Sequence, residues 1–311
     1  MRTDNTTALP VILLAGPTAV GKTDLSLGLA GWLGTEIVNA DSMQIYRHMD
    51  IGTAKPTPEE RRMIPHHLID VADPDEPFDA ARYAELAGAA VDTLHARGKI
   101  PVVVGGTGLY MKVLTQGICP AAPTDPAVRE QLMAEAERDL PSLHAELLRV
   151  DSKLGGRIHP NDRQRIVRAL EVFRAGGIPL SEWQDRHRFA HQRYRTVKVF
   201  LFRDREAIYE RIDRRVHLML EQGFIGEVRN LLDMGYGPEL NAMQSLGYKQ
   251  VVQHLRGECS LDEAVYRIQK ETRHYAKRQI TWFRADPEFK WLDPERREEI
   301  FGWIERGLGG S

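Results

Sequence analysis

Residues Gly16-Pro17-Thr18-Ala19-Val20-Gly21-Lys22-Thr23 read GxxxxGK[ST]. That spacing serves the holding of a phosphate chain. The glycines let the backbone curl so that its N–H groups converge on phosphate oxygens. A helix starting directly behind them adds the partial positive charge of its N-terminus. Lys22 supplies a full charge, and the Thr23 hydroxyl can hold Mg²⁺. Any diphosphate satisfies such a loop, with nucleoside triphosphate as the default ligand. An ordinary nucleotide hydrolase also places an Asp at the end of an apolar strand to hold the metal. Asp41, after Glu36-Ile37-Val38-Asn39-Ala40, and Asp70, after His67-Leu68-Ile69, are the two candidates. Val102-Val103-Val104 run instead into Gly105-Gly106-Thr107-Gly108, a segment with no carboxylate. Arg211 and Arg215 stand four apart in a helical pattern beside Ile208, Ile212 and Leu220. Either can turn toward a diphosphate bidentately.

These groups need a frame that brings them together. Short β-branched runs recur at Val11–Leu14, Glu36–Val38, His67–Ile69, Ile100–Val104 and Val197–Phe202, several followed by helical patterns such as Asp24–Leu33. Such alternation predicts βα units and a parallel sheet. Ligands of open parallel sheets bind at the carboxyl ends of the strands. Lys22, Asp41 and Thr107 therefore converge if Asp41 and Thr107 each follow a strand; the plain alternative for Asp41 is a helix cap. Between Pro120 and Arg195 no strand is predicted. Asp125-Pro126 opens a helix through Leu140, and a second runs from Asn161 to Ala175 with Gly176-Gly177 as its stop. The expected architecture is α/β, a P-loop NTPase-like core with a parallel sheet flanked by helices (residues 1–120 and 196–311), plus an all-helical insertion at 121–195. The tail after Ala285 is expected to pack Trp291, Phe301 and Trp303 on the core and to fray from Gly307.

The 311 residues are 42% hydrophobic and 28% charged, which excludes disorder as the main state. The two cysteines, Cys119 and Cys259, form no CxxC or Cys/His pattern, which argues against a zinc site or a disulfide framework and fits a reducing cytosol. The polar start lacks the order of a signal peptide, and no apolar run reaches membrane-spanning length, so a cytoplasmic protein without a membrane partner is expected. A monomer is expected. The net charge of −2 hides segregation. Arg157 to Arg215 holds 15 Lys/Arg against 8 Asp/Glu, and Arg267 to Arg284 holds 6 against 1. On a helical wheel Lys270, Arg273, Lys277 and Arg284 share one arc, opposite Val265, Ile268, Tyr275, Gln279 and Phe283. A cationic strip backed by core suits a nucleic-acid backbone; a solvated basic face is the alternative.

The loop, Asn39-Ala40-Asp41-Ser42-Met43-Gln44-Ile45-Tyr46, Asp50 to Pro56, His66 to Asp70, Gly105 to Tyr110, Arg163 to Val172, Leu246 to Gln250 and Lys277 to Arg284 resemble, in order, the tRNA dimethylallyltransferases. The length is similar to the compact bacterial form, with no counterpart of the eukaryotic C-terminal zinc finger expected. The resemblance implies that Gly16–Thr23 hold the diphosphate of dimethylallyl diphosphate rather than ATP. It also implies that tRNA is gripped at its anticodon arm, with the adenosine 3′ of the anticodon flipped into a channel. Asp41 would then be the base for the adenine N6 amine. Lys22, Arg215 and Thr23-bound Mg²⁺ would stabilise the leaving diphosphate, and Thr107 would sit by the reacting groups. Ser42, Met43 and Gln44 would line the base pocket. Arg129 and the segment Gln164, Arg165, Ile166, Val167 and Arg168 would hold RNA, as would Lys277 and Arg278. A P-loop small-molecule or nucleotide kinase shares the loop and the metal; the basic faces and the segments from Asn39 onward fit it poorly.

Overall fold

The computed structural model describes residues 8–118, 125–187 and 193–309; the predicted chain start before residue 8, Cys119, the predicted boundary at Pro120, and residues 310 and 311 lie outside them. Two compact units result. One comprises residues up to Thr115 and from Arg193 onward, the other Gln116–Gln192.

The first unit is built on a six-stranded sheet of β1 (Pro10–Ala15), β2 (Ile37–Ala40), β3 (His66–His67), β4 (Val102–Gly105), β5 (Arg195–Leu201) and β6 (Lys290–Leu292). The strands lie in the order β3-β2-β4-β1-β5-β6, and every pair is parallel. β1, Pro-Val-Ile-Leu-Leu-Ala, is buried along nearly its whole length because it pairs on both edges and carries helices on its faces. Helices α1 (Lys22–Leu33), α2 (Pro58–Met63), α3 (Ala80–Ala96) and α4 (Gly108–Gln116) belong to the first half of the chain. The order places the ends of β1, β2 and β4 side by side, so Gly16, Asp41 and Gly106 emerge at one edge.

The second unit holds α5 (Pro126–Val150), α6 (Ser152–Gly155), α7 (Arg163–Gly176) and α8 (Leu180–His187). Asp125 caps α5 by accepting from Ala127 N and Val128 N. This helix runs past Leu140, where the sequence pattern ends it, but breaks at Asp139 (φ −154°, ψ 77°). Pro141 cannot donate into the preceding turn, and Asp139 recaps the chain by accepting from Ser142 N and Oγ. Leu132, Leu143, Leu147, Ile166, Val167 and Leu170 make this unit's own core.

Back in the first unit, α9 (Arg205–Glu221), α10 (Phe224–Asp233), α11 (Tyr248–Leu255), α12 (Leu261–Arg284) and α13 (Arg297–Leu308) complete the chain. Three sequence expectations need correction. The strand expected at His67–Ile69 stops at His67, because Leu68 and Asp70 take left-handed backbone (φ 62° and 56°). β6 was not foreseen; at three residues it is too short to show a period. The tail stays helical to Leu308, held by Arg195, whose guanidinium donates to Gly307 O (2.7 Å) and Leu308 O (3.2 Å).

Candidate functional site

The phosphate loop leaves β1 and closes into α1 through Gly21, whose φ of 109° suits glycine alone. Lys22 folds over the loop, donating to Gly16 O (2.9 Å) and Pro17 O (2.8 Å). Desolvation pulls its ammonium down to about 8; Asp41 opposes that shift and Arg215 adds to it. From α9, Arg211 donates through Nε to Ala19 O (2.7 Å), while Arg215 reaches the same cavity. Among the described residues no carboxylate lies within ion-pair distance of Arg215. Burial lowers its pKa, Asp41 opposes the shift, and Arg211 adds to it. The cavity over the loop measures about 440 Å³, and Thr18 through Thr23, Asp41, Arg211, Arg214 and Arg215 line it. Such a hollow, rich in N–H groups and cations, is chemically an anion site.

A second cavity of about 320 Å³ adjoins it. Its walls are mostly apolar, with Met43, Ile212, Val216, Met219, Phe224 and Leu246 among them. Thr18, Asp41, Thr53, Arg215 and Tyr275 line both cavities and so mark their junction. Arg278 stands at the second cavity, exposed, its guanidinium 5.7 Å from the centre of the Tyr275 ring.

Asp41 is half-buried at the end of β2. Its Oδ1 accepts from Met43 N (2.9 Å) and Gln44 N (3.4 Å), so it does cap the following turn, and Oδ2 is left for other work. Across from it the Thr107 hydroxyl accepts from Ser42 N (3.1 Å). Lys22, Asp41 and Thr107 are thus brought together, as the sheet-edge reasoning expects, and Arg215 joins them from α9.

Several expected residues do something else. Gln44, expected to line the base pocket, spends its amide donors on Thr53 O (3.2 Å) and Ala54 O (3.1 Å) and so fixes a loop. Asp70, the other candidate for the metal, is held by Lys55 and Arg61, each at 2.6 Å. In the helical unit Ile166 and Val167 are buried (0% and 1%), so their side chains build core and present nothing to RNA. Arg129 and Arg168 both grip the buried Glu171, at 3.1 and 3.0 Å, whereas Gln164 and Arg165 are exposed. Arg273, expected on the cationic strip, pairs with Asp213 at 2.5 Å; Lys270, Lys277, Arg278 and Arg284 remain exposed.

Two residues on the predicted core side of α12 prove to belong to the site. Gln279 Oε1 accepts from Thr18 N (2.9 Å), and its Nε2 donates to Gly106 O (3.0 Å). The Tyr275 hydroxyl lies close to Thr107 and Gln279, and burial, with the charge of Asp41 adding, raises its pKa. The signal that could have found them is a polar residue at a helical position facing apolar neighbours. Glu227 likewise escaped notice: it accepts from Asp50 N, Ile51 N and Gly52 N and from the Tyr248 hydroxyl, shaping the loop behind the second cavity.

Among the described residues no group of three or more His, Cys, Asp or Glu is placed to hold a metal. Thr23 and Asp41 do border a common hollow beside Lys22, a donor set that fits Mg²⁺ only as an ion carried in by a diphosphate. No described helix is long and apolar enough to cross a membrane.

Comparison with known proteins agrees with this geometry. The family model described as IPP transferase matches residues 44–286. The tRNA dimethylallyltransferase of Syntrophobacter fumaroxidans is 65% identical over 92% of this chain and 84% of its own length. That of Geobacter sulfurreducens is 50% identical over 91% of both. The crystal structure of the tRNA isopentenylpyrophosphate transferase from Bacillus halodurans superposes with a TM-score of 0.72 at 38% identity, covering 96% of each chain. A eukaryotic dimethylallyltransferase caught acting on tRNA gives 0.79 at 30%, covering 92% of this chain and 74% of its own. With relatives this similar along nearly its whole length, the chain belongs to the IPP transferase family, the tRNA dimethylallyltransferases, whose activity is prenyl-group transfer.

Proposed function

We propose that the chain moves the dimethylallyl group of dimethylallyl diphosphate onto the exocyclic N6 amine of the tRNA adenosine directly 3′ of the anticodon. The observation that carries this reading is the pair of cavities, one cationic and one apolar, that share Asp41, Arg215 and Tyr275 on their common wall. A donor with a diphosphate head and a five-carbon apolar tail has the same division. Its head lies on the loop amides, Lys22 and Arg215; its tail points into the apolar cavity; the allylic carbon falls at the junction, beside Asp41.

The adenine amine is a weak nucleophile because its lone pair is delocalised into the ring. As N6 forms its bond to the allylic carbon, the carbon–oxygen bond to the diphosphate breaks and its electron pair leaves with the diphosphate. The amine proton passes to Asp41, whose Oδ1 is anchored by the turn. Lys22, Arg215 and the loop N–H groups take up the charge gathering on the leaving group. Mg²⁺, held by Thr23 and the diphosphate, would add further positive charge there. Rate comes from alignment and charge stabilisation, with no covalent enzyme intermediate.

The acceptor base would arrive unstacked from a single-stranded loop, where flipping costs little. Exposed Lys277 and Arg278, the latter lining the apolar cavity, are the proposed contacts to the RNA backbone, with exposed Gln164 and Arg165 of the helical unit as further proposed contacts. The test is incubation with unmodified tRNA, Mg²⁺ and either dimethylallyl diphosphate or ATP, followed by digestion and mass spectrometry of the nucleosides. Adenosine heavier by one dimethylallyl group, made with the prenyl donor alone, is the expected product. Unmodified tRNA alongside consumption of ATP overturns the proposal.

A further inference from the structure

Gln279 is 5% exposed and belongs to α12, yet its carboxamide touches two of the three strand ends that form the site. One end is the donor loop, whose Thr18 N–H donates to Oε1. The other is the turn after β4, whose Gly106 carbonyl accepts from Nε2 and whose next residue is Thr107. The turn is cut to receive this helix: a Cβ at Gly106 would collide with Gln279 Nε2, and one at Gly108 with the Trp282 indole. Tyr275, one turn earlier, sets its hydroxyl close to Thr107 and Gln279. Thr107 in turn holds Ser42, the residue after Asp41.

We infer that Gln279 is a positioning residue, a single amide that fixes the donor loop relative to the acceptor-side turn and so sets the distance the allylic carbon and N6 must close. It lines the donor cavity, but its amide spends its bonds on the backbone of the two segments. Its effect reaches the reaction through Thr18 on one side and Thr107 on the other. The inference rests on the prenyl-transfer reading above. A buried amide that spends its donor and acceptor on two separate backbone segments is costly to leave half-satisfied, so the two segments are locked as a pair.

The test is single-turnover transfer at saturating dimethylallyl diphosphate and tRNA, with the Kd of each substrate measured separately. Gln279→Met keeps the shape and loses both bonds. Gln279→Glu keeps the acceptor for Thr18 N–H and loses the donor to Gly106. Both should slow the chemical step about 30- to 100-fold, the scale of a small misplacement of reacting groups, while each Kd stays within about threefold. Combined with Thr107→Ala, Gln279→Met should add little further loss, because the two act along one path. Wild-type rates in both variants overturn the inference. So does a Gln279→Glu variant that transfers normally, a loss confined to donor Kd, or full additivity with Thr107→Ala. If the wild-type protein itself makes no prenylated adenosine, it is the functional reading that fails.

Discussion

The arginines of the donor cavity and those of the helical unit are indistinguishable in the sequence and opposite in the structure. Arg215 faces a cavity with no carboxylate in ion-pair range among the described residues. Arg129 and Arg168 are bound to Glu171, and Arg174 is bound to Glu135 and Glu146. The first arrangement leaves a guanidinium without an ion-pair partner where an anion is to bind; the second uses charge to fasten helices. Carboxylates divide in the same way. Glu171 is 1% exposed between guanidinium groups, whereas Asp41 is half-buried on the wall of two cavities with Oδ2 free. A run of basic residues therefore measures available charge only after its partners are subtracted.

Substitutions can break this contrast. Asp41→Asn keeps an oxygen for Met43 N and removes the base; the transfer rate should fall about 10²- to 10⁴-fold with tRNA affinity within about threefold. A rate near wild type in a single-turnover assay would take Asp41 out of the mechanism. Arg215→Gln should lower kcat about 10²-fold through lost stabilisation of the leaving group, and Arg215→Lys should restore only part of it, since a point charge does not replace a planar fork. Equal activity of all three proteins would put Arg215 on the neutral side of the contrast.

The Lys22 ammonium gives a pH test. Its pKa in the free loop is about 8, lowered by desolvation. A bound diphosphate favours the ammonium and raises that value. Below about pH 8 the charge is present in both states and affinity stays level; above it, affinity should fall by up to about tenfold per pH unit. Calorimetric titration with inorganic pyrophosphate from neutral to alkaline pH checks this, and a level affinity well above pH 8 would contradict it. The smallest functional effect belongs to the helical unit. Glu171→Gln should cost about 1–3 kcal/mol of stability, seen in thermal unfolding, by loosening two guanidinium groups from a buried partner. Turnover at saturating tRNA should stay within about twofold. A large fall in turnover with unchanged stability would make Glu171 a site residue and erase the distinction.

What the sequence made legible follows the distance between partners along the chain. The phosphate loop is eight contiguous residues, so its geometry is written locally, and Asp41 and Thr107 follow from strands whose apolar runs are unmistakable. Gln279 bonds residues 261 and 173 positions away, and no local pattern announces such partners. On a helical wheel it counts as core, which is true of its burial and silent about its chemistry. Gln44 shows the converse: its polarity and place beside Asp41 suggest recognition, yet the backbone of Thr53 and Ala54 claims its donors. The sequence pattern ends α5 at Leu140, next to Pro141, but the recapping of the chain by Asp139 depends on a turn that propensity alone does not specify.

In the proposed reaction the phosphate loop serves a prenyl diphosphate and its neighbouring apolar cavity takes the tail. The most direct measurement is prenyl transfer to tRNA at half-saturating dimethylallyl diphosphate with rising ATP. The rate should hold through ATP concentrations well above the donor's, with no ATP consumed. Suppression of transfer by ATP at or below the donor's own concentration, or turnover of ATP in the presence of tRNA, would contradict it and return the loop to a nucleotide.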